Sequence, residues 1–104
     1  MSAYRYKPDW NALRLRVCFR DQGQCVACGD DLAEWECHHR RLRAQGGPDS
    51  PENLVSLCFE CHEQAHRDRA WARAQGLILH RGDPFTTPAM GWLLAADGTR
   101  EAVG

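Results

Sequence analysis

Lysine is nearly missing from this chain, with one residue against twelve arginines in a total of 104. Long apolar runs are missing too, and so are repeats and low-complexity tracts. The longest apolar stretches are far too short to cross a bilayer, so no membrane-bound reading is entertained. No apolar run follows the opening segment from Met1 to Lys7, so no secretory leader is expected. A reducing, cytoplasmic setting is the default expectation, and there clustered cysteines hold metals more often than they form disulfides. An excess of charge of either sign is also lacking. The net charge of −1 argues for no particular partner and excludes an overtly basic nucleic-acid binder.

What is present is more informative. The length suits one domain, with a core small enough that a metal staple would add much to it. Six cysteines and five histidines are many for such a chain. The arginines are grouped as Arg14, Arg16 and Arg20, then Arg40, Arg41 and Arg43, then Arg67, Arg69 and Arg73. A planar guanidinium is the better bidentate partner for phosphate, although a solvated surface explains such groups equally simply.

Punctuation divides the chain. A helix is expected over 8–22, with Pro8 and Asp9 in its first turn, Gly23 at its end, and Trp10, Leu13 and Val17 on one face. Residues 23–33 read as a knuckle around Cys25 and Cys28. A short strand follows over 34–39, then turn material from Gly46 to Pro51, and a second strand from Asn53 to Leu57. A second knuckle, Cys58 to Cys61, leads into a single helix from about 60 to Gln75, which Gly76 caps. Gly76 to Leu79 reads as extended, and Trp92 to Val103 as a terminal hairpin turning at Asp97-Gly98.

Cys25-x-x-Cys28 and Cys58-x-x-Cys61 form a matched pair separated by 29 residues. A tight turn lets both thiolates of one pair point at an ion, and two such turns complete a tetrahedron, the geometry of structural zinc. A redox Cys-x-x-Cys is usually single and opens a helix, so the matched spacing favours metal. Cys18 and Cys37 read as small buried hydrophobes.

Four histidines fall inside the cysteine frame or just after it. His38 and His39 are neighbours on a strand and point to opposite faces, so one is able to ligate while the other does something else. His62 and His66 share a helical face, about 6 Å apart along the axis. Hydrolysis of a phosphodiester needs a deprotonated water and stabilisation of charge at phosphorus. An imidazole titrating near neutrality and one divalent cation supply these. At steps of 4, 3 and 4, His62, His66, Arg69 and Arg73 would form one stripe along the expected helix, a candidate track for a phosphate backbone.

The ordered string Cys25-x-x-Cys28, Glu36-Cys37-His38-His39, Gly46-Gly47, Asn53-Leu54-Val55, Leu57-Cys58-x-x-Cys61-His62 and His66 resembles the zinc-knuckle HNH endonucleases of the ββα-metal superfamily. The resemblance covers about residues 16–70. It implies an α+β fold: a zinc-stapled ββα-metal finger with a leading helix and a short β tail. It also implies a nuclease domain over 1–80 and a C-terminal extension over 81–104.

By the family's pattern His39 is the general base, and His38 ligates the catalytic ion at a position many members fill with Asp. His62 is the second ligand, and His66 is a third ligand or a phosphate contact. Asn53 hydrogen-bonds across the loop after His39 and holds the imidazole. Cys25, Cys28, Cys58 and Cys61 hold structural zinc. A neutral ligand set suits Mn, Ni, Co or Zn at least as well as Mg. Arg40, Arg41 and Arg43, with Arg69 and Arg73, are the candidate phosphate contacts. DNA is the implied partner. The tail resembles those of small stand-alone phage proteins of this kind, which implies a host-cell cytoplasmic setting and, as one alternative, a packaging accessory acting with a phage terminase. A catalytically silent zinc module that binds DNA or protein is the rival from another class.

Overall fold

The computed structural model describes residues 8–103; the segment 1–7, on which the leader reading falls, lies outside the described residues. Helix α1 spans Pro8–Arg20, with Asp9 in its first turn. It stops where expected, because Gln22 and Gly23 both take left-handed φ values of 62° and 66°. The Gly23 N–H then reaches back to the Cys18 carbonyl at 3.0 Å, satisfying a carbonyl the helix would otherwise orphan. The end of α1 is fastened to the sheet by buried charge. Arg20 pairs with Asp21 at 2.8 Å and donates to the Pro51 and Leu54 carbonyls, while Asp21 accepts the Ser56 N–H.

Strand β1, Trp35–His39, pairs antiparallel with β2, Leu54–Cys58, in a register that sets His38 opposite Val55 and His39 opposite Leu54. The first four residues of β2, including Ser56, are buried. Helix α2, Phe59–Arg67, follows β2 without a loop, and Cys58 is its N-cap. Helix α3 is Arg69–Ala74. A second antiparallel pair closes the chain, β3 (Trp92–Leu94) with β4 (Arg100–Ala102), so the expected terminal hairpin forms. The described residues thus make a small α+β fold, and the ββα unit is β1, β2 and α2. The core joins Val26, Val55, Leu57, Ala65, Ala72, Leu77 and Ile78 to Ala89 and Leu94 of the C-terminal segment. Among the described residues no helix is long and apolar enough to cross a membrane.

One local expectation fails for an identifiable reason. The single helix over 60–75 is broken at Asp68, whose φ and ψ of −119° and 80° leave the helical region. Its carboxylate accepts the Trp71 N–H at 3.1 Å, so the residue that ends α2 also caps α3. The segment after Gly76, expected as extended, belongs to no helix or strand. Gly76 turns at φ 75°, where a Cβ would collide with the Pro88 carbonyl, and Leu77 to Leu79 then run buried.

Arg40 is fully buried directly after β1. With no carboxylate among its partners, its guanidinium donates to the carbonyls of Gly76 (2.8 Å), Glu52 (2.7 Å), Phe85 and Thr87. Burial pushes its pKa down only to about 10, with Arg20 adding to the effect, so the charge persists at neutral pH. Arg40→Ala would orphan several carbonyls and is expected to cost on the order of 4 kcal/mol. Arg40→Lys should recover little, because an ammonium cannot reproduce the fork. Urea unfolding of both variants tests this, and a loss below about 1 kcal/mol for the alanine would refute it.

Candidate metal centre and active site

Four sulfurs converge where the two knuckles meet. The Sγ atoms of Cys25, Cys28, Cys58 and Cys61 all lie within 4.8 Å of one another. Each knuckle is shaped by its own backbone. In the first, Cys25 N–H bonds the Asp30 carbonyl and Gly29 N–H returns to Cys25, both at 2.8 Å. In the second, Cys58 Sγ accepts the Cys61 N–H at 3.4 Å as the cap of α2. A bond from the Val26 N–H to the Ser56 carbonyl at 2.9 Å ties the first knuckle to β2. Two sulfurs bonded to one tetrahedral zinc stand about 3.8 Å apart. Cys28 and Cys58 stand 3.9 Å apart, so the cluster is shaped to hold zinc. The other two cysteines are elsewhere, and burial holds Cys37 up at about 12, which leaves it an inert thiol.

The second cluster is made of imidazoles. His38 from β1 meets His62 and His66 from α2, with ring centroids 5.1 and 5.6 Å away, and the two helix rings are 4.6 Å apart. All three pairs are steeply inclined, at 69°, 84° and 88°, rather than stacked. Their ligating atoms also lie within 4.8 Å of one another. His62 Nε2 and His66 Nε2 are 3.1 Å apart, close to the roughly 3.3 Å expected of two nitrogens on one tetrahedral zinc. His38 is oriented from behind, because its Nε2 donates to the Leu77 carbonyl at 2.7 Å. A carbonyl only accepts, so the proton sits on Nε2 and the lone pair on Nδ1. Burial lowers His38 to about 4 against the pull of that carbonyl, and burial followed by His66 lowers His62 as well. Neutral imidazoles of this kind are what a cation needs.

These rings line an open cleft of about 370 Å3 together with His39, Trp10 and Arg43. A larger concavity of about 690 Å3 lies between α1, at Leu15 and Phe19, and the Asp97-Gly98 turn. It is apolar and holds no histidine, whereas the smaller cleft gathers four. Here His39 is held on two sides. The Trp10 indole stacks on it at 5.5 Å and 14°, and Asp49 Oδ1 is 2.7 Å from its Nε2. Sequence reasoning missed both neighbours. Trp10 reads as an ordinary apolar residue of α1, and Asp49 as part of a turn. Asn53 is fully buried and bridges the loop after His39. Its Oδ1 accepts the Arg41 N–H at 2.7 Å, and its Nδ2 donates to the carbonyls of Arg41 and Pro48 at 3.1 and 3.0 Å.

The arginines expected to grip phosphate do not form one set. Arg40 must be withdrawn, because its guanidinium is buried and occupied by carbonyls. Arg41 lies over Phe85 at 4.2 Å and donates to the Asp83 carbonyl. Arg73 is ion-paired with Asp83 at 2.6 Å. The stripe from His62 to Arg73 is interrupted, since Asp68 starts a new helix between His66 and Arg69. Arg43 stands exposed at the cleft and Arg69 exposed on α3.

Comparison with known families agrees with this geometry. Residues 25–68 match the model of the HNH endonuclease family. No curated protein and no solved structure gives a significant match. The matched segment runs from the first zinc-type cysteine through β1, β2 and α2 to Asp68, and leaves α1, α3 and the terminal hairpin outside it. Residues 25–68 are thus similar to an HNH endonuclease domain, and they carry both Cys-x-x-Cys pairs.

Asn53→Ala would leave the Arg41 N–H and two carbonyls without partners, and is expected to cost about 2–3 kcal/mol in urea unfolding. Asn53→Asp keeps the acceptor but loses both donated bonds, so it should recover only part of this. An alanine variant as stable as the parent would show that the loop does not depend on this side chain.

Proposed function

We propose that this protein is a metal-dependent endonuclease that hydrolyses DNA phosphodiester bonds, nicking one strand or cutting both. The observation that carries the reading is the cleft, where three imidazoles converge beside a fourth, His39, that stands apart from them. The donor set fits a divalent cation: three nitrogens close enough to share one ion, two of them on rings that resist protonation. His38, His62 and His66 would hold it, and the four cysteines would hold structural zinc. When bound in the cleft, a divalent cation stabilises the negative charge that builds on the phosphate oxygens.

The rest of the chemistry belongs to side chains. His39 takes a proton from a water, whose oxygen forms a new bond to phosphorus. The bond from phosphorus to the 3′ oxygen breaks, and its electron pair leaves on that oxygen, which takes up a proton. The products are a 5′-phosphate and a 3′-hydroxyl. Asn53 keeps the loop carrying His39 closed. Arg43, at the cleft, and Arg69, on α3, are the phosphate contacts that this reading retains.

Nicking of supercoiled plasmid tests it. Activity is expected with Mn, Ni, Co or Zn at least equal to that with Mg, because the ligands are neutral nitrogens, and EDTA should abolish it. His39→Ala should reduce the rate by about 10²- to 10⁴-fold, the usual contribution of a general base. An absence of nicking with every cation would leave the rival, a silent zinc module. Metal analysis of the same preparation should return zinc that survives loss of His38, His62 and His66 but disappears in Cys28→Ser/Cys58→Ser. That variant should also lose its cooperative unfolding, since structural zinc is worth about 10–16 kcal/mol of apparent binding energy.

A further inference from the structure

We infer that Asp49 is the positioning residue for His39: it holds the imidazole as its Nε2–H tautomer and so makes Nδ1 the nitrogen that accepts the proton. This rests on the nuclease reading above and adds a residue that the family pattern did not supply.

Asp49 Oδ1 lies 2.7 Å from His39 Nε2. An ionised carboxylate only accepts, so the proton in that contact is on Nε2 and the ring's one lone pair is on Nδ1; the Arg43 Nε–H also faces Nε2, but at 3.4 Å it is the longer and weaker contact. The ring plane is fixed separately, by the Trp10 indole stacked at 5.5 Å and 14°. The carboxylate is held in turn by Arg43, whose guanidinium is 3.4 Å from Asp49 Oδ1 and 5.0 Å above the Trp10 ring. The His39 side chain is only 12% exposed. Ring, indole, carboxylate and guanidinium therefore form one closed assembly at the edge of the cleft.

The backbone explains why Asp49 is there. Asn53 Nδ2 donates to the carbonyl of Pro48, the residue before Asp49. Gly47 lies so close to the Arg41 carbonyl that any side chain would collide with it. These contacts fold the 46–50 loop back over the end of β1 and bring Asp49 to His39. Asn53 thus acts on the imidazole at one remove, through the loop that carries Asp49. A base held by a carboxylate gains twice: the correct nitrogen is presented before the proton moves, and the imidazolium is stabilised afterwards.

The test has two arms on the metal-loaded protein. Two-bond nitrogen–proton NMR of the His39 ring, at mildly alkaline pH, reads the tautomer without reference to activity. The proton is expected on Nε2 in the parent and redistributed in Asp49→Ala. A proton found on Nδ1 in the parent overturns the proposal. Plasmid nicking reads the consequence. Asp49→Ala should lower kcat by about 10- to 100-fold, a fraction of a general base's contribution, with KM and metal content unchanged. Asp49→Asn keeps an accepting oxygen and should restore part of kcat. In the His39→Ala background Asp49→Ala should do nothing further. A loss of the same size in that background, or an unchanged kcat in the His39 background, overturns the proposal by making Asp49 structural or idle. A parent protein with no nicking activity sinks the nuclease reading and the catalytic role with it, and the NMR arm would still report where the proton sits.

Discussion

A positive charge sealed inside a small protein has to be matched, and here backbone carbonyls match it. Arg40 draws the oxygens of Glu52, Gly76, Phe85 and Thr87 around one guanidinium. These belong to the turn before β2, the turn after α3 and the approach to the terminal hairpin, so three distant parts of the chain are fixed by the residue that follows the paired histidines. The coupling to the cleft is direct. The Gly76 carbonyl takes Arg40, and the next carbonyl, that of Leu77, takes the His38 ring. One residue further, Ile78 is in the core, and the Leu79 N–H returns to the Arg40 carbonyl at 2.8 Å. The buried spine after α3 is therefore the back wall of the imidazole cluster. A shift in it would turn His38 directly.

The two clusters divide the work by ligand chemistry. Sulfur ligands enclose an ion and leave it no open position, which suits a structural role. Nitrogen ligands on the rim of an open cleft leave room for a phosphate and a water. His38 and His62 are lowered by burial, whereas a carboxylate in the position of His38 would bring a negative charge to the same spot. The neutral set weakens the attraction for hard cations and leaves the approach of a phosphodiester less opposed by ligand charge.

The sequence discloses those features that depend on spacing. The paired Cys-x-x-Cys motifs, the i to i+4 histidines and the Asp97-Gly98 turn each encode a local geometry, and each appears where expected. Features that depend on long-range contacts are not legible in the same way. Asp68 reads as one more polar residue on a solvent-facing helix, and only its N-cap bond to Trp71 shows that it breaks the helix. Arg40 reads as part of a basic cluster because sequence cannot show that four carbonyls from elsewhere will surround it. Asp49 and Trp10 lie 10 and 29 positions from His39, in a turn and in the first helix, and no pattern joins them to it. A signal was available for Asp49: an acidic residue just beyond a Gly-Gly turn, with an Asn following to pin that turn.

Helix α2 begins at the capping cysteine and carries both clusters within its nine residues, Cys61 on its first turn and His62 and His66 beyond. It acts as a rigid ruler. The distance between the cysteine cluster and the histidine cluster is set along α2 by helical pitch. Selection on such a scaffold is free to exchange the donor atoms at either end, and with them the metal, while the span between the two centres stays fixed.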